Sequence, residues 1–147
     1  MKINFKRLND SAIVPTRGSK YAAGYDLHST SDVEIKPGET VKINTGIAME
    51  IPDEFVGLVF ARSGIATKRG LRPANCVGVI DPDYRGEIMV ALHNDSDSVQ
   101  RVNIHERVAQ ISIVPFLPAE FTEVDELNDT VRGTGGFGST GISDISK

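Results

Sequence analysis

The 147-residue sequence has few of the residues that mark several common classes of protein. It has one cysteine, Cys76, and no tryptophan, and aromatic residues make up only 6% of the chain. A single cysteine excludes an internal disulfide and a cysteine-rich zinc site, and it fits a reducing compartment. No apolar run approaches the roughly 20 residues that a membrane-spanning helix needs. We therefore expect no membrane partner.

An excess of basic residues is also missing. The chain has 16 Lys and Arg against 20 Asp and Glu, which gives a formal net charge of −4. An overall basic surface for nucleic acid is therefore not expected, and any bound anion needs a local cluster of basic side chains. The first ten residues, MKINFKRLND, contain no apolar stretch typical of a signal peptide. We expect a soluble protein of the cytoplasm.

Familiar catalytic signatures are absent from the sequence. It contains no GxxxxGK[ST] phosphate loop, no HExxH metal motif and no GxSxG nucleophile motif. The three histidines, His28, His93 and His105, are scattered and are interpreted as exposed or strand-face side chains. Cys76 has no neighbouring histidine in the sequence and is interpreted as structural.

What the sequence does have is a period-two alternation of apolar residues. The alternation is clearest over residues 41–51 and predicts a half-buried strand there. Polar turns separate this strand from other short candidates, so the pattern predicts an antiparallel sandwich, barrel or jelly roll. One short helix is predicted over Ser63–Arg69, ending at Gly70. The further strands are predicted over residues 2–7, 32–35, 56–60, 77–80, 87–93, 99–104 and 108–116.

The composition changes after about Asp125. Residues 132–141 read RGTGGFGSTG and hold five of the 14 glycines of the chain, with Phe137 as the only large apolar side chain. Neither a strand nor a helix favours that composition, so a flexible tail is predicted. We expect a core over residues 1–125 and a tail over residues 126–147. Composition alone leaves open whether the tail is plain disorder or a binding element.

Two polar groups in the matched part of the chain have two interpretations each, and a third polar residue needs a partner. Asp26 is either a turn aspartate that bonds its own backbone or a functional acid. Arg62 and Ser63 open the predicted helix in a basic stretch, and they either bind an anion or belong to a solvated basic face. Gln110 lies among apolar neighbours of the last strand and needs a hydrogen-bond partner if it is buried.

The segment of residues 75–88 is predicted to form a β-hairpin. Its centre, DPDYRG at residues 81–86, is a turn signal between the strands predicted at 77–80 and 87–92. The two acids and Tyr84 are either ordinary turn residues or the mouth of a hairpin that opens around a planar ligand. In the second case, unpaired backbone N–H and C=O groups could read the edge of a base.

Taken in order, five segments resemble the five motifs of the trimeric dUTP diphosphatases, the dUTPases. The third and fifth segments are the most specific of the five. The resemblance implies a jelly-roll-like subunit, a homotrimer, and three active sites at subunit interfaces, each closed by the tail of another subunit. The matching stretches are AGYDLHS (23–29), ARSGIA (61–66), NCVGVIDPDYRGEI (75–88), ERVAQ (106–110) and RGTGGFGSTG (132–141).

The resemblance also implies a reaction. Water attacks the α-phosphorus of dUTP in line and gives dUMP and pyrophosphate, which keeps uracil out of DNA and supplies dUMP for dTMP synthesis. Asp81 resembles the carboxylate that activates this water, and Asp26 resembles the acid that supports a Mg²⁺ ion through water. The implied phosphate contacts are Arg62, Ser63, Gly64, Gln110, Arg132, Ser139 and Thr140. The implied uracil and deoxyribose contacts are Asn75, Gly78, Val79, Ile80, Tyr84, Met89, Phe137 and Gly138.

Two positions depart from the family pattern, and three other functions stay open. Ala61 stands where the family usually has Pro, and His105 stands where it usually has Gly. If the turn at 105 needs a positive φ, His is one of the few residues with a side chain that tolerates it. The other functions are a related dCTP deaminase, a non-enzymatic nucleotide-binding regulator on the same fold, and a structural jelly-roll protein.

Overall fold

A computed structural model describes residues 1–137 of the chain. In this part the chain forms eleven strands and one helix, and every strand pair is antiparallel. The predicted all-β antiparallel fold with one short helix is confirmed. The strands are β1 Asn4–Arg7, β2 Tyr25–His28, β3 Val33–Ile35, β4 Thr40–Asn44, β5 Ile47–Glu50, β6 Phe55–Phe60, β7 Leu71–Pro73, β8 Gly78–Ile80, β9 Met89–Asn94, β10 Gln100–Val102 and β11 Arg107–Pro115, and the helix is α1 Ser63–Arg69.

The described strands form four sheets. The largest has the order β2-β11-β6-β8, the next has the order β4-β9-β7, and β1-β5 and β3-β10 are two-stranded. All of them lie in one compact unit, Met1–Leu117, and the residues described beyond it, 118–137, contain neither strand nor helix. The division near residue 125 into a core and an arm that closes a neighbouring site stays a prediction.

The core of this unit is aliphatic. Leu27 of β2, Ile43 of β4, Leu92 of β9 and Ile111 of β11 are almost fully buried and belong to one cluster. Burial of one such side chain stabilises a fold by about 1.5–3 kcal/mol. A core of this kind can support the fold without a disulfide.

The single strand predicted over residues 41–51 is wrong, because two strands of different sheets cover this stretch. β4 pairs with β9, whereas β5 pairs with β1. Between them Gly46 has a φ of 66°, and a Cβ built there would lie 2.7 Å from the Cβ of Ala12. The left-handed backbone at Gly46 ends one ladder and redirects the chain to another. The predicted alternation of burial is confirmed at Ile43 but is wrong in β5, where the neighbours Ile47 and Ala48 are both buried.

The β-hairpin predicted within residues 77–92 is also wrong. β8 pairs with β6, and β9 pairs with β4 and β7, so the intervening loop crosses from one sheet to another. The turn inside the loop is present, because the backbone N–H of Tyr84 donates to the carbonyl of Asp81 at 3.1 Å. The sequence signals a turn, but the partners of the flanking strands depend on long-range packing.

Two strands, β2 and β7, are missing from the sequence prediction. β2 is short and carries two polar residues, Asp26 and His28, among its four. β7 is a three-residue edge strand that ends in Pro73, a residue that sheets accept only at edges and strand ends. In residues 1–137 no helix is long and apolar enough to cross a bilayer.

Candidate active site

A cavity of about 280 Å³ lies between β8 and β9. It exists because these two strands belong to different sheets and form no ladder with each other in the described structure. The cavity brings together every residue of the third motif to which the resemblance gave a role. Its lining comprises Asn75, Gly78, Val79, Ile80, Asp81, Tyr84 and Met89, together with Lys42, Val59, Pro73, Glu87, Val90 and Ala91.

Gly78 keeps the cavity open next to Asn75. A Cβ on Gly78 would lie 3.2 Å from the Cβ of Val59 and 3.4 Å from the side-chain nitrogen of Asn75. The carbonyl of Asn75 accepts a hydrogen bond from the backbone N–H of Val77 at 2.7 Å, across an exposed Cys76 with a φ of 62°. This tight turn places the Asn75 amide beside β8.

Tyr84 has a fixed orientation at the cavity. Its hydroxyl donates to the backbone carbonyl of Glu87 at 2.9 Å. The ring packs on Gly86, where a Cβ would overlap the hydroxyl and lie 2.9 Å from ring atom Cε2. Arg85 closes the loop by donating from Nη1 to the carbonyls of Pro82 and Tyr84, at 2.5 and 3.1 Å. The sequence DYRGE thus holds an aromatic ring at the cavity that Asp81 also lines.

Asp81 lines the cavity with a carboxylate that has no partner in residues 1–137. Its backbone carbonyl accepts the turn hydrogen bond from Tyr84, but no described side chain or N–H donates to its carboxylate. A carboxylate that no protein group occupies can hold and deprotonate a water molecule.

A second group of functional residues surrounds Asp26 on β2. Arg62 Nε donates to one carboxylate oxygen of Asp26 at 2.7 Å, and Arg107 Nη1 donates to the other at 3.3 Å. The Asp26 side chain is only 12% exposed. Asp26 is therefore an ion-paired acid, and its interpretation as a turn aspartate is wrong. We call Asp26, Arg62 and Arg107 the arginine cluster, and its two cations outnumber its one anion.

Gln110 of β11 lies beside the arginine cluster and pairs in register with Asp26. Its Nε2 donates to the carbonyl of Ala61 at 2.9 Å, so the partner that its environment requires is present. Gly24 makes this position possible, because a Cβ on Gly24 would overlap the Gln110 side-chain oxygen. The glycine of the first motif thus permits the close approach of the Gln110 side chain.

Helix α1 begins beside the same cluster, with Arg62 as its N-cap residue. No side chain caps this end, and the first turn contains no acid. Ser63 and Gly64 are exposed, and a Cβ on Gly64 would meet nothing within 4 Å. The first N–H groups of a helix have no partner inside it. The predicted phosphate residues of the second motif are therefore accessible next to Arg62.

His28 adjoins the arginine cluster on β2, opposite Arg107 of β11. Its Nδ1 is buried and has no hydrogen-bond partner in residues 1–137. Burial lowers the pKa of His28 below its usual value of 6.5. The charge of Asp26 raises this pKa, while those of Arg107, Arg62 and His105 lower it further. His28 is therefore neutral at neutral pH.

Within the largest sheet, the strand that carries Asp26 and the strand that lines the cavity are the two edge strands. β2 carries Asp26 at one edge, and β8 carries Gly78 at the other, with β11 and β6 between them. Neighbouring strands lie about 4.8 Å apart, so the two edges are separated by about 14 Å. None of Asp26, Arg62 and Gln110 lines the cavity. Within one chain the structure forms two groups of predicted site residues and does not join them.

The donor atoms present do not fit a metal ion held by the protein alone. Residues 1–137 contain no group of three or more His, Cys, Asp or Glu that could bind one. Asp26, the predicted metal-supporting acid, already accepts hydrogen bonds from two arginines. These residues fit an ion that phosphate oxygens hold and that contacts the protein through water, as is common for Mg²⁺.

The tail residues that the structure describes belong to the unit that begins at Pro118. Within it, Arg132 Nε donates to the carbonyl of Gly135 at 2.8 Å, and Phe137 is fully exposed. The predicted contacts Gly138, Ser139 and Thr140 lie outside the described residues.

Sequence reasoning missed Arg107 and Glu87. Arg107 is the one basic residue of the fourth motif and completes the arginine cluster. Glu87 follows Gly86 in the third motif and lines the cavity. Both are charged residues inside a matched motif to which the resemblance gave no role, and this is the signal that could have identified them. The expectation for His105 is confirmed, because its φ is 67°.

Comparison with known proteins decides the family. A model of the dUTPase family matches residues 10–141. A deoxyuridine 5′-triphosphate nucleotidohydrolase of Nautilia profundicola is 50% identical over 141 residues, which cover 96% of this chain and 99% of the relative. The chain belongs to the dUTPase family. A relative of the same name from Desulfitobacterium hafniense (strain DSM 10664 / DCB-2) is 48% identical over 146 residues, 97% of each chain.

Solved dUTPase structures share the fold. The Staphylococcus bacteriophage 80alpha dUTPase with dUPNHPP has a TM-score of 0.90 and 31% identity, and the match covers 96% of this chain and 99% of that one. A variant dUTPase from the S. aureus phage phi11, described with a coordinated structural Mg(II) ion, has a TM-score of 0.78 and 28% identity. The match covers 86% of this chain and 98% of that one. The resemblance drawn from the five motifs is confirmed, while the jelly-roll arrangement as such stays a prediction.

Proposed function

We propose that this member of the dUTPase family hydrolyses dUTP to dUMP and pyrophosphate. The observation that carries the proposal is the cavity in which Asn75, the backbone of β8, Asp81 and Tyr84 come together. The relatives named deoxyuridine 5′-triphosphate nucleotidohydrolase support the substrate, as does the related phage enzyme solved with dUPNHPP.

Uracil is proposed to bind against β8. This strand is an edge strand that pairs with β6 on one side only, so half of its backbone groups have no strand partner. Such groups are fixed donors and acceptors. Gly78, Val79 and Ile80, with the Asn75 amide and the backbone of Met89, can match the edge of uracil. Cytosine would leave these groups mispaired, which discriminates more strongly than a difference in size.

The deoxyribose is proposed to pack on Tyr84. The hydrogen bond to Glu87 and the contact with Gly86 hold the ring in place. A fixed ring at the van der Waals distance from the sugar leaves no space for a 2′-hydroxyl. We therefore expect the enzyme to reject UTP.

Asp81 is the proposed general base. Its carboxylate takes the proton of a water molecule that attacks the α-phosphorus in line, and pyrophosphate leaves without a covalent intermediate. We propose that basic side chains and backbone N–H groups, already oriented before the reaction, stabilise the negative charge of the phosphates. The proposed phosphate contacts are Arg62, Ser63, Gly64 and Gln110 near α1, and Arg132, Gly138, Ser139 and Thr140 of the tail, while Phe137 stacks on uracil.

A Mg²⁺ ion bound by the triphosphate is part of the proposal, with Asp26 near it through water. When bound, the ion neutralises phosphate charge. The support for contact through water is that both carboxylate oxygens of Asp26 already accept hydrogen bonds from arginines. A cytoplasmic location is proposed as well, supported by the exposed free thiol of Cys76, which fits a reducing compartment.

We further propose a homotrimer whose active sites are shared between subunits. The support is that none of Asp26, Arg62 and Gln110 lines the cavity, and that the edge strands β2 and β8, which carry Asp26 and Gly78, are about 14 Å apart in one chain. A cavity that reads the base and a cluster that binds phosphate can form one site if they come from two subunits. The tail, residues 126–147, is the proposed arm that closes a site on other subunits.

The first test measures pyrophosphate release from dUTP, dCTP, dTTP and UTP, with and without Mg²⁺. Asp81→Asn is compared with Asp83→Asn, which removes a carboxylate of the same loop that does not line the cavity. We expect dUTP to be preferred and kcat to fall by about 10²- to 10⁴-fold in Asp81→Asn only. Ammonia release from dCTP would favour a deaminase. Equal losses in both variants would contradict the role of Asp81.

A further inference from the structure

Glu87 is a charged side chain at the cavity that another part of the fold binds through both carboxylate oxygens. Oε1 accepts a hydrogen bond from the backbone N–H of Gly46 at 2.7 Å, and Oε2 accepts one from the Asn44 side chain at 3.2 Å. Neither partner is a cation, so this carboxylate does not serve an ion pair. Hydrogen bonds to an ionised acceptor are about twice as strong as neutral ones.

The hydrogen bond to Gly46 lies where the backbone needs a partner. Gly46 is the left-handed residue that separates β4 from β5, which belong to different sheets. A backbone N–H at such a break has no ladder acceptor, and it must be satisfied in another way. Glu87 supplies the acceptor from a position 41 residues away in the chain.

Hydrogen bonds next to Glu87 also attach the loop of residues 81–86 to the chain around Gly46, between β4 and β5. The N–H of Ile88 donates to the carbonyl of Ile47 at 2.8 Å, and the buried hydroxyl of Thr45 donates to the carbonyl of Ile88 at 2.6 Å. The carbonyl of Glu87 in turn accepts the hydrogen bond from the Tyr84 hydroxyl. The loop that carries the aromatic ring is thus attached to Gly46 directly through Glu87.

We propose that Glu87 is a positioning residue for sugar recognition. Its carboxylate anchors the loop of residues 81–86 to the break at Gly46, so that the Tyr84 ring stands where a 2′-hydroxyl would collide with it. The inference rests on the proposed hydrolysis of dUTP. Loss of the anchor lets Tyr84 move, which weakens the discrimination between dUTP and UTP more than it lowers the rate of the chemical step.

The test compares Glu87→Ala, Glu87→Gln and Glu39→Ala. Glu39 is a matched control because its carboxylate also accepts a backbone N–H, that of Lys36 at 2.8 Å, in an exposed turn that does not line the cavity. Glu87→Ala is expected to lower the ratio of kcat/KM for dUTP over UTP by about tenfold, the order expected for one charged hydrogen bond. Most of this change is expected as a lower KM for UTP, because the 2′-hydroxyl no longer collides with the displaced ring, whereas kcat for dUTP changes little. Glu87→Gln retains an acceptor for Gly46 and restores most of the ratio.

A readout without nucleotide separates anchoring from activity. In Glu87→Ala the amide hydrogen of Gly46 is expected to exchange faster with solvent than in the wild type, whereas Glu39→Ala leaves it unchanged. If Glu87→Ala does not fold, Asn44→Ala removes only one of the two hydrogen bonds and is measured in the same way. An unchanged dUTP/UTP ratio in the folded variant, or no rescue by glutamine, overturns the proposal. A wild type that does not hydrolyse dUTP refutes the proposed function and this role of Glu87 together.

Discussion

Replacement of Gly24 by alanine is expected to displace Gln110 without changing any charge. A Cβ on Gly24 would overlap the side-chain oxygen of Gln110 and lie 3.0 and 3.1 Å from its Cδ and Cβ. Gly24 does not have a positive φ. Alanine is therefore compatible with the backbone, and the three atoms nearest to the added Cβ all belong to Gln110.

The cost follows from the contacts that Gln110 must give up. Displacement of its side chain breaks the 2.9 Å hydrogen bond to the carbonyl of Ala61. An unsatisfied polar group and an overpacked site each cost about 1–3 kcal/mol. Movement of the side chain relieves the overlap but breaks the hydrogen bond, so the two costs are alternatives, and we expect the free energy of unfolding to fall by about 2 kcal/mol. KM for dUTP should rise as well, because Gln110 is a proposed phosphate contact.

Urea unfolding and steady-state kinetics measure these two effects, with Gly18→Ala as the matched control. A Cβ on Gly18 would meet nothing within 4 Å, and its φ is not positive. Gly18→Ala should therefore retain wild-type stability and KM. The packing argument is refuted if Gly24→Ala unfolds within about 0.5 kcal/mol of Gly18→Ala, the usual range for surface substitutions, and has the same KM.

Two further predictions concern pH and the tail. Because the pKa of His28 is lowered in the fold, the unfolded chain binds more protons below pH 6.5, so stability falls as the pH drops below that value. His28→Asn should flatten this decline in the unfolding midpoint between pH 8 and 5, and an unchanged slope would contradict it. Deletion of residues 132–147 should lower kcat/KM by at least about 10- to 150-fold, the loss expected for the charged Arg132 contact alone, at an unchanged unfolding midpoint. If sites are shared between subunits, mixing the tail-deleted chain with the Asp81→Asn chain should recover part of the activity. No recovered activity in verified mixed trimers would contradict shared sites.

Local features of the fold could be predicted from the sequence because their causes are local. The helix predicted over Ser63–Arg69 has those bounds, and it ends at Gly70 with a φ of 65°, the left-handed cap that glycine provides. The period-two pattern also identified the buried positions Ile43, Ile47 and Ile51. Alternation and capping depend on near neighbours in the chain, so the sequence shows them directly.

Strand partners could not be predicted in the same way. Gly46 adopts its left-handed φ in a site surrounded by Ala12, Asn9 and Thr30, which are distant in sequence. No alternation pattern records such contacts, so residues 41–51 were predicted as one strand. The same limitation produced the incorrect hairpin between β8 and β9, whose partners are β6 and β4 with β7.

The arginine cluster shows the corresponding limit for the site. Asp26 meets Arg62 across 36 positions and Arg107 across 81. Local sequence therefore allows both a turn aspartate and a functional acid, and only the paired strands β2 and β11 decide between them. The resemblance to a family gave roles to Asp26 and Arg62, but it gave none to Arg107, which completes the cluster.

The distribution of charge gives a physical reason why neither group is a complete site. The charged side chains that line the cavity are Asp81, Glu87 and Lys42, which sum to −1 and cannot neutralise a triphosphate. The arginine cluster has an excess of one positive charge, but Asn75 and β8, the proposed uracil contacts, line the cavity and do not belong to it. Each group therefore lacks what the other has. A chain with a net charge of −4 can bind a polyanionic nucleotide if assembly places one subunit's arginine cluster beside another's cavity.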